Sequence, residues 1–174
     1  MNLTEQHRAH VGGLRQTTLG IIRKGDQVSL AMKKRGFGAG MWNFPGGKTE
    51  EDIGELPEDC IVREVLQEVN TQILEVRLVA ILYFYFSDVR PEERWNQKCY
   101  VYEAVDWEGE PTESEEMAPK WWKCSSIPYH EMWPADQSWI EPVLSGKILT
   151  GYYLFTKEPV CLEQRIILDQ IIDE

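Results

Sequence analysis

Histidine is scarce in this chain, and the three residues present, His7, His10 and His130, are too scattered to assemble a zinc site. The four cysteines, at 60, 99, 124 and 161, form no CxxC pair and no metal spacing, so reduced structural thiols are expected. Long apolar runs are missing too. The longest, Leu78 to Phe86, is too short to cross a bilayer, and the opening MNLTEQHRAH carries no hydrophobic signal region. Lys and Arg number 18 against 29 Asp and Glu, a net charge of −11. Neutralising a phosphate backbone needs a basic face, so no nucleic-acid polymer is expected as partner. These absences point to a soluble, cytoplasmic protein that engages no membrane, and a monomer is expected.

What the chain does have is enough apolar content, 43% of 174 residues, for one domain with a real core. Residues 1–14 read as a polar tail and residues 15–174 as that domain, without internal repeats or low-complexity segments. The run RGFGAG, Arg35 to Gly40, is a glycine-rich loop, yet it lacks the Gly-Lys-Ser/Thr ending of a P-loop and the GxGxxG fingerprint before a helix.

The stretch from Phe44 to Asn70 organises the rest. Pro57 suits the first helical position, and Glu58 and Asp59 place negative charge at the positive end of the helix dipole. Leu56 stands where a capping oxygen is preferred and offers none. Val62, Val65, Leu66 and Val69 form an apolar stripe at helical spacing. Glu64 and Glu68, one turn apart on another face, bring two carboxylates within reach of one cation beside a flexible Gly46-Gly47 turn. The alternative is a solvated acidic face. An acidic protein can hold a small triphosphate if divalent cations bridge carboxylate and phosphate, with Lys33, Lys34 and Arg35 assisting.

Around that helix, strands are expected near Gln16 to Ile22 and Val28 to Lys33 as a hairpin turning at Lys24-Gly25-Asp26. Ile73 to Phe86 reads as one or two strands with Leu78, Ala80, Leu82, Phe84 and Phe86 on one face, and Gln97 to Val105 as another. A short strand at Lys120 to Lys123 follows an acidic turn. A helix from about Asp136 to Leu144 would be capped by Asp136, and Tyr152 to Thr156 is a strand. Cys161 to Ile172 could be strand or amphipathic helix.

FPGGKTEEDIGELPEDCIVREVLQEVN resembles the Nudix box, whose usual form is Gly, five residues, Glu, seven residues, then Arg-Glu-aliphatic-x-Glu-Glu-x-Gly. Glu55 stands seven residues before the Arg63-Glu64 pair, Val65 fills the aliphatic position, and Glu68 fills the second acid of the closing pair. Three departures stand out. Seven residues separate Gly47 from Glu55, Gln67 replaces the first acid, and Asn70 replaces the final glycine. Most of the chain is also similar to the MutT-type oxidised-purine nucleoside triphosphatases of that family. The likeness is carried by MKKRGFGAG with Trp42 and Asn43, by Glu116-Met117, and by MWPADQSW, Met132 to Trp139.

The resemblance implies an α/β class fold, the Nudix α/β/α sandwich with a central mixed sheet. It implies Mg²⁺, with Mn²⁺ as the alternative, held by the Gly46 carbonyl and by Glu64, Glu68 and Glu116. Glu64 or Glu116 would help deprotonate the attacking water, and Arg63 would orient the acids. The substrate implied is a purine nucleoside triphosphate of the 8-oxo-dGTP kind, cleaved to monophosphate and pyrophosphate. Asn43 and Asp136 would bond the base, Trp133 would stack on it, and Thr18, Leu19, Lys33, Phe37 and Phe84 would complete the pocket. Ala135 stands where related enzymes carry the first of two aspartates, so a narrower or shifted substrate range is expected. Other readings are hydrolysis of a capped RNA end, a nucleotide sugar or a pterin triphosphate, or nucleotide binding with turnover weakened by Gln67.

Overall fold

The computed structural model describes residues 1–174, apart from the side chain of Pro91. In chain order the elements are α1 (Leu3–His10), β1 (Arg15–Ile21), β2 (Arg23–Lys24), β3 (Gln27–Lys33), β4 (Trp42–Asn43), α2 (Pro57–Val69), β5 (Gln72–Phe86), β6 (Gln97–Glu108), β7 (Met117–Lys123), α3 (Asp136–Leu144), β8 (Leu149–Phe155) and β9 (Cys161–Leu168). Five strands form a mixed sheet in the order β1-β6-β5-β8-β9, with β1/β6 and β5/β8 parallel and the other pairs antiparallel. A smaller antiparallel sheet is built on β3, which pairs with β2, β4 and β7.

Strand side chains alternate between two faces, so a sheet buried on both sides must be apolar at successive positions. Along β5, Ala80, Leu82 and Phe86 join one cluster with Trp139, Ile140 and Val143 of α3. Ile81, Tyr83 and Tyr85 join the other with Ile61, Val65 and Val69 of α2 and Leu3 of α1. Helices therefore cover both faces, the α/β/α sandwich expected. On β1, Gly20 lets α2 come close, since a Cβ there would lie 2.9 Å from a Val65 methyl.

Several local expectations change. The first hairpin is only β2 and β3, because β1 runs in the large sheet beside β6. Residues 3–10 are a helix rather than part of a tail. Its Asn2 side chain takes the Glu5 N–H while Glu5 caps Asn2 in return, and Leu3, Gln6 and His7 are buried against the sheet. On α2 the buried stripe is Ile61, Val65 and Val69, whereas Leu66 is 45% exposed. A register shift between Leu78 and Ala80 moves Leu78 off the face shared by Ala80, Leu82 and Phe84. Cys161 to Leu168 is strand. The cap of α3 is Ala135, left-handed at φ 77°, and Asp136 is the first helical residue.

Candidate active site

The free edge of β1 is covered by the loop that follows β4. Thr18 N–H donates to the Gly47 carbonyl at 2.7 Å, Gly20 N–H to Pro45 at 2.8 Å, and Thr49 N–H to Gln16 at 3.1 Å. Both glycines are there for close approach. A Cβ on Gly46 would lie 2.0 Å from the Thr18 carbonyl oxygen, and one on Gly47 would lie 2.4 Å from the Glu64 carboxyl carbon. The longer spacing before Glu55 is absorbed by a 3₁₀ turn, Glu51–Ile53, that ends on left-handed Gly54. Helix α2 starts at Pro57 with no side-chain cap on Leu56, as the sequence indicated, and stops at left-handed Asn70, φ 57°.

Two acids of α2 press on this loop. Glu68 is 3% exposed, and its Oε2 accepts the Gly46 N–H at 2.8 Å. Burial pushes its carboxyl up to about 7, against the pull of that N–H and Lys33, while Glu64 and Glu116 repel it further. Glu64 sits against Gly47 and takes Arg63 Nη1 at 2.7 Å. Arg63 also forks onto Glu55, 2.7 Å from Nε and 2.8 Å from Nη2, and reaches the Lys48 carbonyl at 3.2 Å. That guanidinium holds the Glu55 carboxyl down at about 2. Gln67 is exposed and its Oε1 accepts from Arg63 Nη1 at 3.3 Å, so it faces the arginine rather than Gly46.

Glu116 is delivered from the other side. Ser114 Oγ donates to the Glu68 carbonyl at 2.7 Å and accepts the Glu116 and Met117 N–H groups, docking the acidic turn on the end of α2. Asn70 adds a bond to Thr112. Lys34 N–H donates to the Glu116 carbonyl at 2.9 Å, and Arg35 pairs with the Glu116 carboxylate at 2.9 Å. Lys34 itself pairs with Glu113. Within the Lys-Lys-Arg run, then, Lys33 is the residue whose charge bears on Glu68.

Next to this acidic wall opens a cleft of about 510 Å³. All eight residues expected to bind substrate line it: Thr18, Leu19, Lys33, Phe37, Asn43, Phe84, Trp133 and Asp136. Gly46 and Glu116 line it as well, whereas Arg63, Glu64 and Glu68 stand behind the Gly46-Gly47 turn. Asn43 spends its Oδ1 on the Phe44 N–H at 2.8 Å, which leaves its NH₂ group to the cleft. Asp136 is 8% exposed, accepts the Trp139 indole N–H at 3.1 Å, and is pushed by burial from 3.8 up to about 7. Phe37 stacks on Trp133 at 4.9 Å and meets Trp95 edge-on at 5.0 Å. Gly38, φ 82°, lets the loop lie against Trp133.

Sequence reasoning missed Phe86, Phe155, Gln97 and Ser114. The first three meet only because the sheet order brings the ends of β5 and β8 beside the start of β6. Ser114 had no periodic signal at all.

Among the described residues no three His, Cys, Asp or Glu side chains converge into a protein-only metal cage, and no helix is long and apolar enough to cross a membrane. A model of the NUDIX domain matches residues 13–142. The chain belongs to the Nudix family. As a Nudix protein it is 37% identical over 145 residues to the oxidized purine nucleoside triphosphate hydrolase of Mus musculus, covering 83% of this chain and 89% of that one. It is 32% identical over 133 residues to the 8-oxo-dGTP diphosphatase of Escherichia coli strain K12, covering 75% and 93% of the two chains. Its Nudix fold superposes on a MutT protein of Bacillus halodurans with a TM-score of 0.75 at 27% identity, over 88% of this chain and 97% of that one.

Proposed function

We propose that this Nudix hydrolase cleaves oxidised purine nucleoside triphosphates of the 8-oxo-dGTP class to the monophosphate and pyrophosphate, clearing them from the nucleotide pool. One observation carries the reading. A single cleft joins an aromatic, hydrogen-bonding end, Trp133 with Asn43 and Asp136, to an end bounded by Gly46, Lys33 and Glu116. The first end suits a purine, since stacking on an aromatic face contributes ~1 to 3 kcal/mol per base. The second suits a polyphosphate tail.

Nudix hydrolases act with divalent metal ions, and the donor set here fits Mg²⁺, with Mn²⁺ as its replacement. Glu68 is buried among like charges, Glu64 and Glu116, with only Lys33 and one N–H opposing them. Such an arrangement calls for a cation. Hard oxygen donors without a complete cage suit an ion that keeps water and shares phosphate oxygens. Gly46 through its carbonyl, and Glu64, Glu68 and Glu116 through their carboxylates, would hold it. Bound there, the ion would supply charge neutralisation at the phosphates and a lowered pKa for water.

The chain's own groups do the rest. Glu64 or Glu116 takes the proton as water oxygen bonds to phosphorus and the P–O bond to the leaving pyrophosphate breaks. Arg63 touches Glu64 and not the cleft, so it acts by positioning. Trp133, Asn43 and Asp136 hold the base while Lys33 meets the phosphates.

Pyrophosphate release from 8-oxo-dGTP, 2-hydroxy-dATP and dGTP, with Mg²⁺ and with chelator, tests the proposal. Metal-dependent turnover with unequal efficiencies is expected, because Ala135 leaves Asp136 without a second adjustable carboxyl. Equal efficiency on all three would overturn the narrowed range, and no metal-dependent pyrophosphate release from any of them would overturn the purine reading.

A further inference from the structure

Strand β6 begins at Gln97, which pairs with Arg15 of β1 on one side and with Phe84 of β5 on the other. Residues 97, 99 and 101 alternate onto the face that carries the base cleft, and both Gln97 and Cys99 line it. Gln97 is half-buried, and its carboxamide has no hydrogen-bond partner among the described residues. Phe84, its partner on β5, and Phe86 and Phe155 line the same cleft. A free amide on an aromatic wall has both a donor and an acceptor to offer a ligand.

Its place relative to Asp136 decides what it can read. Cys99 and Asp136 both line the cleft, the first from β6 and the second from the start of α3. Gln97 is two residues further along β6, about 6.6 Å at strand rise. Gln97 lines the cleft from β6, whereas Asn43 and Asp136 line it from β4 and α3, so a base that gives one edge to those two has another edge for Gln97.

We propose that Gln97 is a specificity-determining residue that recognises the N7–H and O8 edge of an 8-oxopurine, resting on the reading of this cleft as the purine site. Oxidation at C8 converts an N7 acceptor and a C–H into an N–H donor beside a carbonyl acceptor. A carboxamide matches that pair with two antiparallel hydrogen bonds, its C=O accepting from N7–H and its NH₂ donating to O8. Ordinary guanine offers N7 as an acceptor and nothing at C8, so one bond and the pairing geometry are lost. Asp136 and Asn43 read the other edge, which both guanine and 8-oxoguanine present alike.

The test is kcat/KM for 8-oxo-dGTP, 8-oxo-dATP, 2-hydroxy-dATP and dGTP with the wild type, Gln97→Leu and Gln97→Glu. Gln97→Leu keeps side-chain size and is expected to lose about tenfold on the two 8-oxo substrates, chiefly through KM, in line with two neutral hydrogen bonds. Efficiency on dGTP and 2-hydroxy-dATP, which offer Gln97 only N7 as an acceptor, should fall less, by about two- to threefold for one neutral hydrogen bond, and an unchanged melting temperature shows that the variant is folded. Gln97→Glu, which keeps an acceptor but cannot donate to O8, should fall on the 8-oxo pair as well. A uniform loss on all four, or no loss on the 8-oxo pair, would overturn the role of Gln97. A wild type inactive on every purine triphosphate would instead overturn the function on which it rests.

Discussion

The Gly46 N–H donates to the buried Glu68 carboxylate at 2.8 Å, tying the loop over the β1 edge to the last turn of α2. Because both glycines of that loop exclude a Cβ for different reasons, their replacements should fail differently. Gly46→Ala would drive a methyl into the Thr18 carbonyl, 2.0 Å away, and is expected to cost about 3 kcal/mol in stability. For Gly47→Ala the nearest atoms are those of the flexible Glu64 carboxylate, at 2.4 Å, so it should fold and lose about 100-fold in kcat as that acid is displaced. Urea unfolding beside steady-state rates separates the two; equal stability losses would refute the distinction.

Arg63 and Glu55 predict an acid limb. The Glu55 carboxyl sits at about 2 when folded, against 4.5, so its contribution is complete above pH 4.5 and disappears as pH falls toward 2. The side chains are 26% and 8% exposed, and screening discounts the contribution to about 1–2 kcal/mol. Glu55→Gln should therefore be less stable than wild type at pH 7 and nearly equal to it at pH 2.5, as read by chemical denaturation. A difference that persists unchanged to low pH would show that packing, not charge, holds the pair.

Asp136 predicts the opposite slope. Its folded value of about 7 lies above 3.8, so between those limits the folded chain keeps a proton that the unfolded chain has lost. Stability then declines as pH rises from about 4 to 7 and levels off above. Asp136→Asn, which retains an acceptor for the Trp139 indole, should remove this decline and be more stable than wild type at pH 8 by a few kcal/mol, roughly. The same change should weaken purine binding. Unfolding free energies at pH 4 to 9 check the first part, and an unaltered slope would contradict it.

How much of this was legible beforehand depends on what each residue answers to. Pro57, the acids of the first turn and Asn70 act within their own helix, so α2 could be read with its ends. Leu66 was misplaced because a stripe of spacing alone cannot say how wide the buried face is; Glu68, not Leu66, turns inward there. The signal for α1 was present in Asn2 and Glu5, but eight mostly polar residues show no apolar period, and Leu3, Gln6 and His7 are buried by the sheet beneath. The first hairpin failed because adjacent Ile21 and Ile22 are each buried in a different cluster as the chain passes between sheets. The cleft residues were recoverable only by resemblance, since strand order is a property of tertiary contacts. Gln97, Phe86 and Phe155 lay outside that resemblance and needed the sheet to be seen.

Ala135 is held at φ 77°, a left-handed conformation that costs an L-residue with a Cβ ~1–2 kcal/mol. Ala135→Gly should raise stability by about 1 kcal/mol, net of the entropy glycine adds to the unfolded chain, for a rise of about 2–4 °C in Tm. Calorimetry reads this directly, and a fall in Tm would mean that the alanine methyl contributes more by packing on the core than its strain removes.

Gln67 offers the most informative change in the box. Its amide faces Arg63 Nη1 at 3.3 Å, whereas the Glu68 carboxylate faces Gly46 at 2.8 Å, so a carboxylate at 67 would first compete with Glu64 for the arginine. Position 67 is also exposed, where water screens added charge. Gln67→Glu is accordingly expected to change kcat by less than about tenfold at saturating Mg²⁺ while lowering the Mg²⁺ concentration needed for half-maximal rate, since an added negative charge near the acidic wall raises local cation occupancy. Titration of the rate with Mg²⁺ in both proteins measures the two effects separately. A gain in kcat of about 100-fold or more at saturating metal would show that the amide limits the chemical step, and that Arg63 releases residue 67 toward the phosphates when substrate binds.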